Sequence, residues 1–271
     1  MNKFINRILV LLVFNVCVAS SCNKNNDSFD SKETAPLSIE FDNIIGGQNL
    51  QLQTGNYVNA NNEAFTVSQL QYYVSNISLT KSDGTVYVVP QDSSYFLIRE
   101  GEPSSRFARV MVPEDEYTAL SFVLGVDSLR ATMDLSKRKG VLDIAGGMED
   151  GMYWGWTMGY IFFKMEGTSP HAPVDPVGIR KYRYHIGGFG NPEGPGVNNI
   201  KTISIDLKAG GVAKVRRGRK SNIHLLVDVA KVFDGTNKVS IATHPSVMFS
   251  TFSRGIADNF YEMFRHDHTE N

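Results

Sequence analysis

The sequence predicts an all-β protein, an antiparallel β-sandwich with a short C-terminal helix. Three observations point there. Apolar and polar residues alternate with period two in several short runs, the mark of half-buried strands. The runs are separated by Gly, Pro, Asn and Asp, the residues that tight turns require. The pattern of many short strands does not alternate with long helical stretches, as a parallel α/β sheet would demand.

The elements follow in order. Leu37-Ser-Ile-Glu-Phe41 alternates with period two. Residues 69–79 and 86–89 flank Ser82-Asp83-Gly84, a hairpin signal. Strands are next expected at residues 95–98 and 119–125, the second after Pro113-Glu-Asp-Glu116, which suits a turn. Residues 153–165 are strongly apolar and aromatic. Within residues 200–207, Ile203, Ile205 and Leu207 share a face with Lys201, and Ile200 is out of phase. Residues 222–229 put Ile223, Leu225, Val227 and Val229 on one face, with His224 and Asp228 on the other. Residues 133–151, with Gly140, Gly146 and Gly147, read as a long loop with a short helix. Residues 253–265 place Ile256, Phe260, Met263 and Phe264 at helical spacing, which predicts the terminal helix.

The first 36 residues are of another kind. Lys3 and Arg7 precede an apolar run over residues 8–18, too short for the roughly 20 residues of a bilayer-spanning helix. The run closes on Val18-Ala-Ser-Ser-Cys22, small residues leading into a cysteine. Residues 1–21 therefore read as a lipoprotein export signal, and Cys22 as the acylated N-terminus that enters the lipid bilayer. This predicts an outer-membrane anchor with the protein on the periplasmic or cell-surface face. Residues 22–36, rich in Asn, Ser, Asp and Lys, form a flexible tether, and residues 37–271 a single β-sandwich domain. Acylation uses the one cysteine left after cleavage, so no disulfide supports the core.

A net charge of -1 gives no reason to expect nucleic acid as a partner. The basic cluster Arg216-Arg-Gly-Arg-Lys220 suits a hairpin turn. No Ser/His/Asp, nucleotide-loop or paired-carboxylate signature stands out, so the chain does not read as an enzyme. All six histidines lie in the second half. His171 falls in a Pro-rich surface loop, and His266-Asp-His268 reads as a solvated tail. Trp154 and Trp156, the only tryptophans, would share one face if the segment is a strand.

Met152-Tyr-Trp-Gly-Trp-Thr-Met-Gly-Tyr160, followed by Phe162, Lys164 and Glu166-Gly167, resembles the Trp-x-Trp segment of the MbnP-like family of copper-binding proteins. Tyr73-Val-Ser-Asn-Ile-Ser-Leu79 is similar to the family's Tyr-x-Ser-Asn strand, residues 117–126 to its Phe-x-Leu-Gly-Val strand, and Tyr184-His-Ile-Gly187 to its His-x-Gly strand end. These motifs span residues 37–228 in a shared order. The resemblance implies a periplasmic or surface β-sandwich that binds copper. Some members use kynurenine, an oxidised tryptophan, as a ligand, made by a dihaem partner enzyme of the MauG type. By carry-over His185 is the first histidine ligand and Trp154 or Trp156 the residue for oxidation; His244, beside Met248, is the second ligand chosen by position. The cysteines of one family branch are absent, and with them its disulfides. The expected function is non-catalytic copper capture or delivery. The alternative is a surface binding or adhesion module for a glycan, a peptide or an outer-membrane transporter.

Overall fold

The principal strands are β1 (Thr34–Ile45), β2 (Gln69–Lys81), β3 (Tyr95–Arg99), β4 (Phe107–Pro113), β5 (Asp115–Leu124), β6 (Ile161–Thr168), β7 (Lys181–Gly187), β8 (Lys201–Asp206), β9 (Ser221–Asp228) and β10 (Phe264–Glu270). The seven-residue helix α1 (Ser253–Asn259) precedes the last strand, and shorter helical turns lie at Ser128–Thr132 and Lys231–Asp234. The computed structural model describes residues 29–144, 151–154, 159–191 and 194–271. The export signal, Cys22 and Trp156 lie outside the described residues.

The strands form two facing sheets. In the smaller, β10, β9 and β1 are neighbours in that order, and β4 and Gln48–Asn49 pair with the far edge of β1. The larger runs β8, β5, β2, β6, β7 and then the short edge strand Ser246–Val247. β2 serves several partners because it bends: residues 69–75 pair with β6 and β3, and the rest largely with β5. The register shifts between Ser75 and Ser78, where Asn76 takes a left-handed φ of 51°. Such a bulge re-aims a strand, and asparagine tolerates that conformation better than most residues.

Alternation then makes the core. Ala35, Leu37, Ile39 and Phe41 of β1 are buried and face the large sheet. Phe41 meets Tyr72 and Phe122 edge-on at 6.2 and 5.6 Å, and Phe264 from β10 meets Phe122 at 5.2 Å. Edge-to-face contacts suit the aromatic quadrupole, and each buried ring contributes about 1.5–3 kcal/mol through area alone. This is the sandwich that the periodicity predicts. A second, smaller cluster lies on the outer face of the large sheet. There Tyr73, Leu97 and Phe162 are covered by Val126, Leu142, Met152, Trp154 and Tyr160.

Five details differ from the sequence reading. The sandwich is not wholly antiparallel: β1 and β9 run parallel from Leu37↔Ser221 to Ile44↔Asp228. Parallel neighbours need a long crossover, which the whole large sheet supplies. The tether ends earlier than residue 36, because Thr34, Ala35 and Pro36 already pair with β4 and Ala35 is fully buried. β4 itself was not expected, although Ala108, Val110 and Val112 alternate inward. The terminal helix is shorter than 253–265: α1 ends at Asn259, a 3-10 turn covers Phe260–Glu262, and Phe264 starts a strand. The basic cluster does sit in a turn, but Ala213–Val215 before it pairs with β5 and β9 after it pairs with β1, so it joins two sheets and is no hairpin.

Candidate metal centre

β6 and β7 are antiparallel neighbours, with Lys164 opposite His185 and Glu166 opposite Arg183. Tyr182, Tyr184 and Ile186 of β7 are buried in the main core. Alternation therefore sends Arg183, His185 and Gly187 to the outer face of the large sheet. There His185 meets Glu166 on the diagonal, with 2.7 Å between Nε2 and Oε1. Lys164 Nζ is 3.8 Å from the same oxygen and 3.5 Å from the Gly151 carbonyl. The hydrogen bond from His185 holds the Glu166 carboxyl below the usual range; burial opposes this, and the charges of His185, Lys164 and Arg183 add to it.

Gly187 brings the tryptophan to this face. A Cβ there would lie 2.5 Å from the Tyr160 carbonyl oxygen and 2.8 Å from Cζ3 of Trp154. Only glycine lets the indole close on the strand end. Gly187 and His185 are two residues apart on one strand, so Trp154 packs on the face that carries the imidazole. The indole is 8% exposed and stands edge-on to Phe249 at 6.3 Å. Trp154 precedes the strand instead of lying in one over residues 153–165: its backbone N–H donates to the Gly159 carbonyl at 3.0 Å, Tyr153 bridges Tyr160, and β6 begins at Ile161.

His244 is placed elsewhere. Ser246–Val247 pairs in parallel with Arg183 and Tyr184 of β7, and the Pro245 carbonyl accepts the Arg183 N–H. In that register His244 is level with Lys181, four residues or roughly 13 Å along the strand from His185. Its ring stacks on Phe252 at 3.7 Å, and Nδ1 is 2.9 Å from the Thr243 hydroxyl. The paired register ends at Val247, and Met248 follows directly after it. Met248 is 39% exposed between buried Val247 and the Phe249 ring that touches Trp154.

The segment holding His244 and Met248 is fixed from behind by Glu63. This carboxylate, 5% exposed, accepts from Asn59 Nδ2, the Ser240 hydroxyl and the N–H groups of Ile241 and Ala242, at 2.7–3.0 Å. Burial pushes its pKa up, but the four hydrogen bonds together hold it below the usual value.

The outer face at the end of β7 thus offers an imidazole nitrogen and a carboxylate oxygen, and the Met248 thioether follows the neighbouring edge strand. Imidazole and carboxylate suit cupric ion, and a thioether suits cuprous ion. Glu166 engages His185 Nε2, so an ion using that nitrogen must share or displace the carboxylate. Sequence reasoning did not assign Glu166 a role, although it lies in the quoted motif. His171 is exposed in its loop, as expected. His266 and His268 are not in a solvated tail, because β10 pairs with β9.

Comparison with known proteins agrees with this architecture. A search of curated proteins finds no significant relative. Among solved structures, MbnP from Methylosinus trichosporium is similar, with a TM-score of 0.53 and 17% identity over 81% of this chain and 82% of that one. At that identity the likeness concerns the fold. The family model described as MbnP matches residues 34–249, well over half of the chain. The chain belongs to the MbnP family.

Proposed function

We propose that the chain is a lipid-anchored, non-catalytic copper-binding protein that captures or delivers copper at the outer membrane. Family membership associates it with copper handling. The reading is supported above all by one juxtaposition: His185 and the Gly187 position that Trp154 covers lie two residues apart on the same face of β7. In this reading His185 is the imidazole ligand, and Trp154 or Trp156 is the residue that a dihaem enzyme of the MauG type converts to kynurenine. A ketone oxygen or aniline nitrogen so formed would add a donor beside the histidine. The second protein ligand comes from residues 244–249. Met248 is exposed just after the edge strand, whereas His244 requires its stack on Phe252 to open. An adhesion surface built on Trp154 would need an exposed indole, and Trp154 is buried.

The test is made on protein from its native host grown with copper. Metal analysis should find copper in the wild type and its loss in His185→Ala, and intact mass should show one oxidised tryptophan. Copper content unaffected by His185→Ala would defeat the assignment.

A further inference from the structure

The small sheet carries its own cluster of metal-ligating side chains, on the face turned away from the core. His224 of β9 lies opposite His268 of β10, and their rings are 4.9 Å apart. The register slips between this pair and Leu225↔His266, leaving Asp267 as the extra residue of a bulge. Pairing puts Phe264 and His266 on the side of Val227 and Leu225, toward the core. After an unbroken strand Asp267 would point out and His268 in; the bulge instead turns both outward beside His224. One donor atom from each of the three lies within 4.8 Å of the other two.

We infer that His224, Asp267 and His268 form a second transition-metal site, one that takes a divalent first-row ion, cupric ion most strongly. Asp267 Oδ2 is 3.2 Å from His224 Nδ1 and 2.8 Å from His268 Nδ1. Ligand atoms around an ion bonded at about 2.0–2.1 Å stand roughly 3.3 Å apart, so small side-chain rotations admit the ion. The far nitrogens face carboxylates as well. His224 Nε2 is 3.7 Å from Asp42 Oδ2, and His268 Nε2 is 3.8 Å from Glu270 Oε1. These distances are beyond a hydrogen bond, but a small side-chain rotation would let each carboxylate accept the ring N–H, the contact that orients a metal-binding histidine and raises its basicity. Three carboxylates around two imidazoles also favour a dication over an anion. Two imidazoles and one carboxylate place cupric ion at the top of the affinity order, and three protein donors leave positions open for water or a receiving ligand. Asp267 and His268 lie beyond residue 249, where the family match ends.

Cupric ion alone is the probe, added to the untagged full chain carrying His185→Ala, which removes the site on the large sheet. Calorimetry should record one equivalent bound, and electron paramagnetic resonance should show hyperfine coupling to two imidazole nitrogens. Adding His268→Ala or Asp267→Asn should weaken that uptake more than about 100-fold, beyond the loss expected from a missing outer partner. His268 and Asp267 are solvent-exposed side chains, and unchanged circular dichroism will show that the variants fold. Uptake unaltered in the His224→Ala/His268→Ala pair, or a spectrum without two nitrogens, would overturn the site. Neither result depends on whether His185 binds copper.

Discussion

His185 and Glu166 stand on a diagonal of the β6–β7 pair, 2.7 Å apart from Nε2 to Oε1, on a face that Trp154 covers two residues further on. Gly187 makes that arrangement possible, and it supplies the first prediction. Gly187→Ala must drive a methyl into the Tyr160 carbonyl and the Trp154 ring. Overpacking of this kind costs about 1–3 kcal/mol. Urea denaturation should show that loss, and tryptophan fluorescence should shift as the indole leaves its pocket. A variant as stable as wild type with an unchanged spectrum would mean that the indole does not close on the strand end.

The terminal segment belongs to the core. Phe260 is fully buried and lies 5.0 Å from Phe163 of β6, and Ile256, Met263 and Phe264 are buried around it. Phe260→Ala should cost about 3–5 kcal/mol, a large share of the 5–15 kcal/mol that holds a domain together. A denaturation midpoint close to wild type would detach this segment from the sandwich.

Glu63 makes stability depend on pH. Its folded pKa lies below that of an unfolded glutamate, roughly 4.3, so its contribution is complete above that value. The stabilisation is lost as pH falls through the folded pKa. Glu63→Gln should cost about 1.5–3 kcal/mol at neutral pH, the scale for hydrogen bonds to a charged group. The difference from wild type should shrink in acid. An equal difference at pH 7 and pH 3 would assign the loss to packing instead.

Anchoring is tested at Cys22. An acylated cysteine holds to a bilayer through its chains at about 0.8 kcal/mol per buried CH₂. Cys22→Ser should move the protein from the membrane fraction to the soluble one. Retention equal to wild type would require a different anchor.

Much of the fold was legible because short-range alternation survives in the structure. Ile223, Leu225, Val227 and Val229 are all fully buried, and Lys81 and Thr85 close the hairpin around Ser82-Asp83-Gly84. Pairing between distant strands was not legible. Nothing local in Leu37 or Ser221 says that their strands run parallel, since register across so long a crossover is set by the assembled core. β10 was missed because only Phe264 in it is apolar; its remaining residues read as a solvated tail, and their order comes from pairing with β9. The candidate site shows the same division. His185 could be selected from its motif, whereas Glu166 became its partner through a diagonal contact between strands. Trp154 comes to the face of His185 by closing on Gly187, a contact that no local pattern announces. His244 was chosen by its place in the chain, and the parallel register of the edge strand sets it about 13 Å from His185.

His185 is the proposed copper ligand on the outer face of the large sheet. The most direct measurement is calorimetric titration of cupric ion into the full chain carrying His268→Ala, which disables the cluster on the small sheet. One equivalent should bind, and its affinity should fall more than about 100-fold when His185→Ala is added. Met248→Ala should weaken uptake of cuprous ion in the same background more than His244→Ala does. Copper uptake unchanged between His268→Ala and His185→Ala/His268→Ala would rule out His185 as a copper ligand.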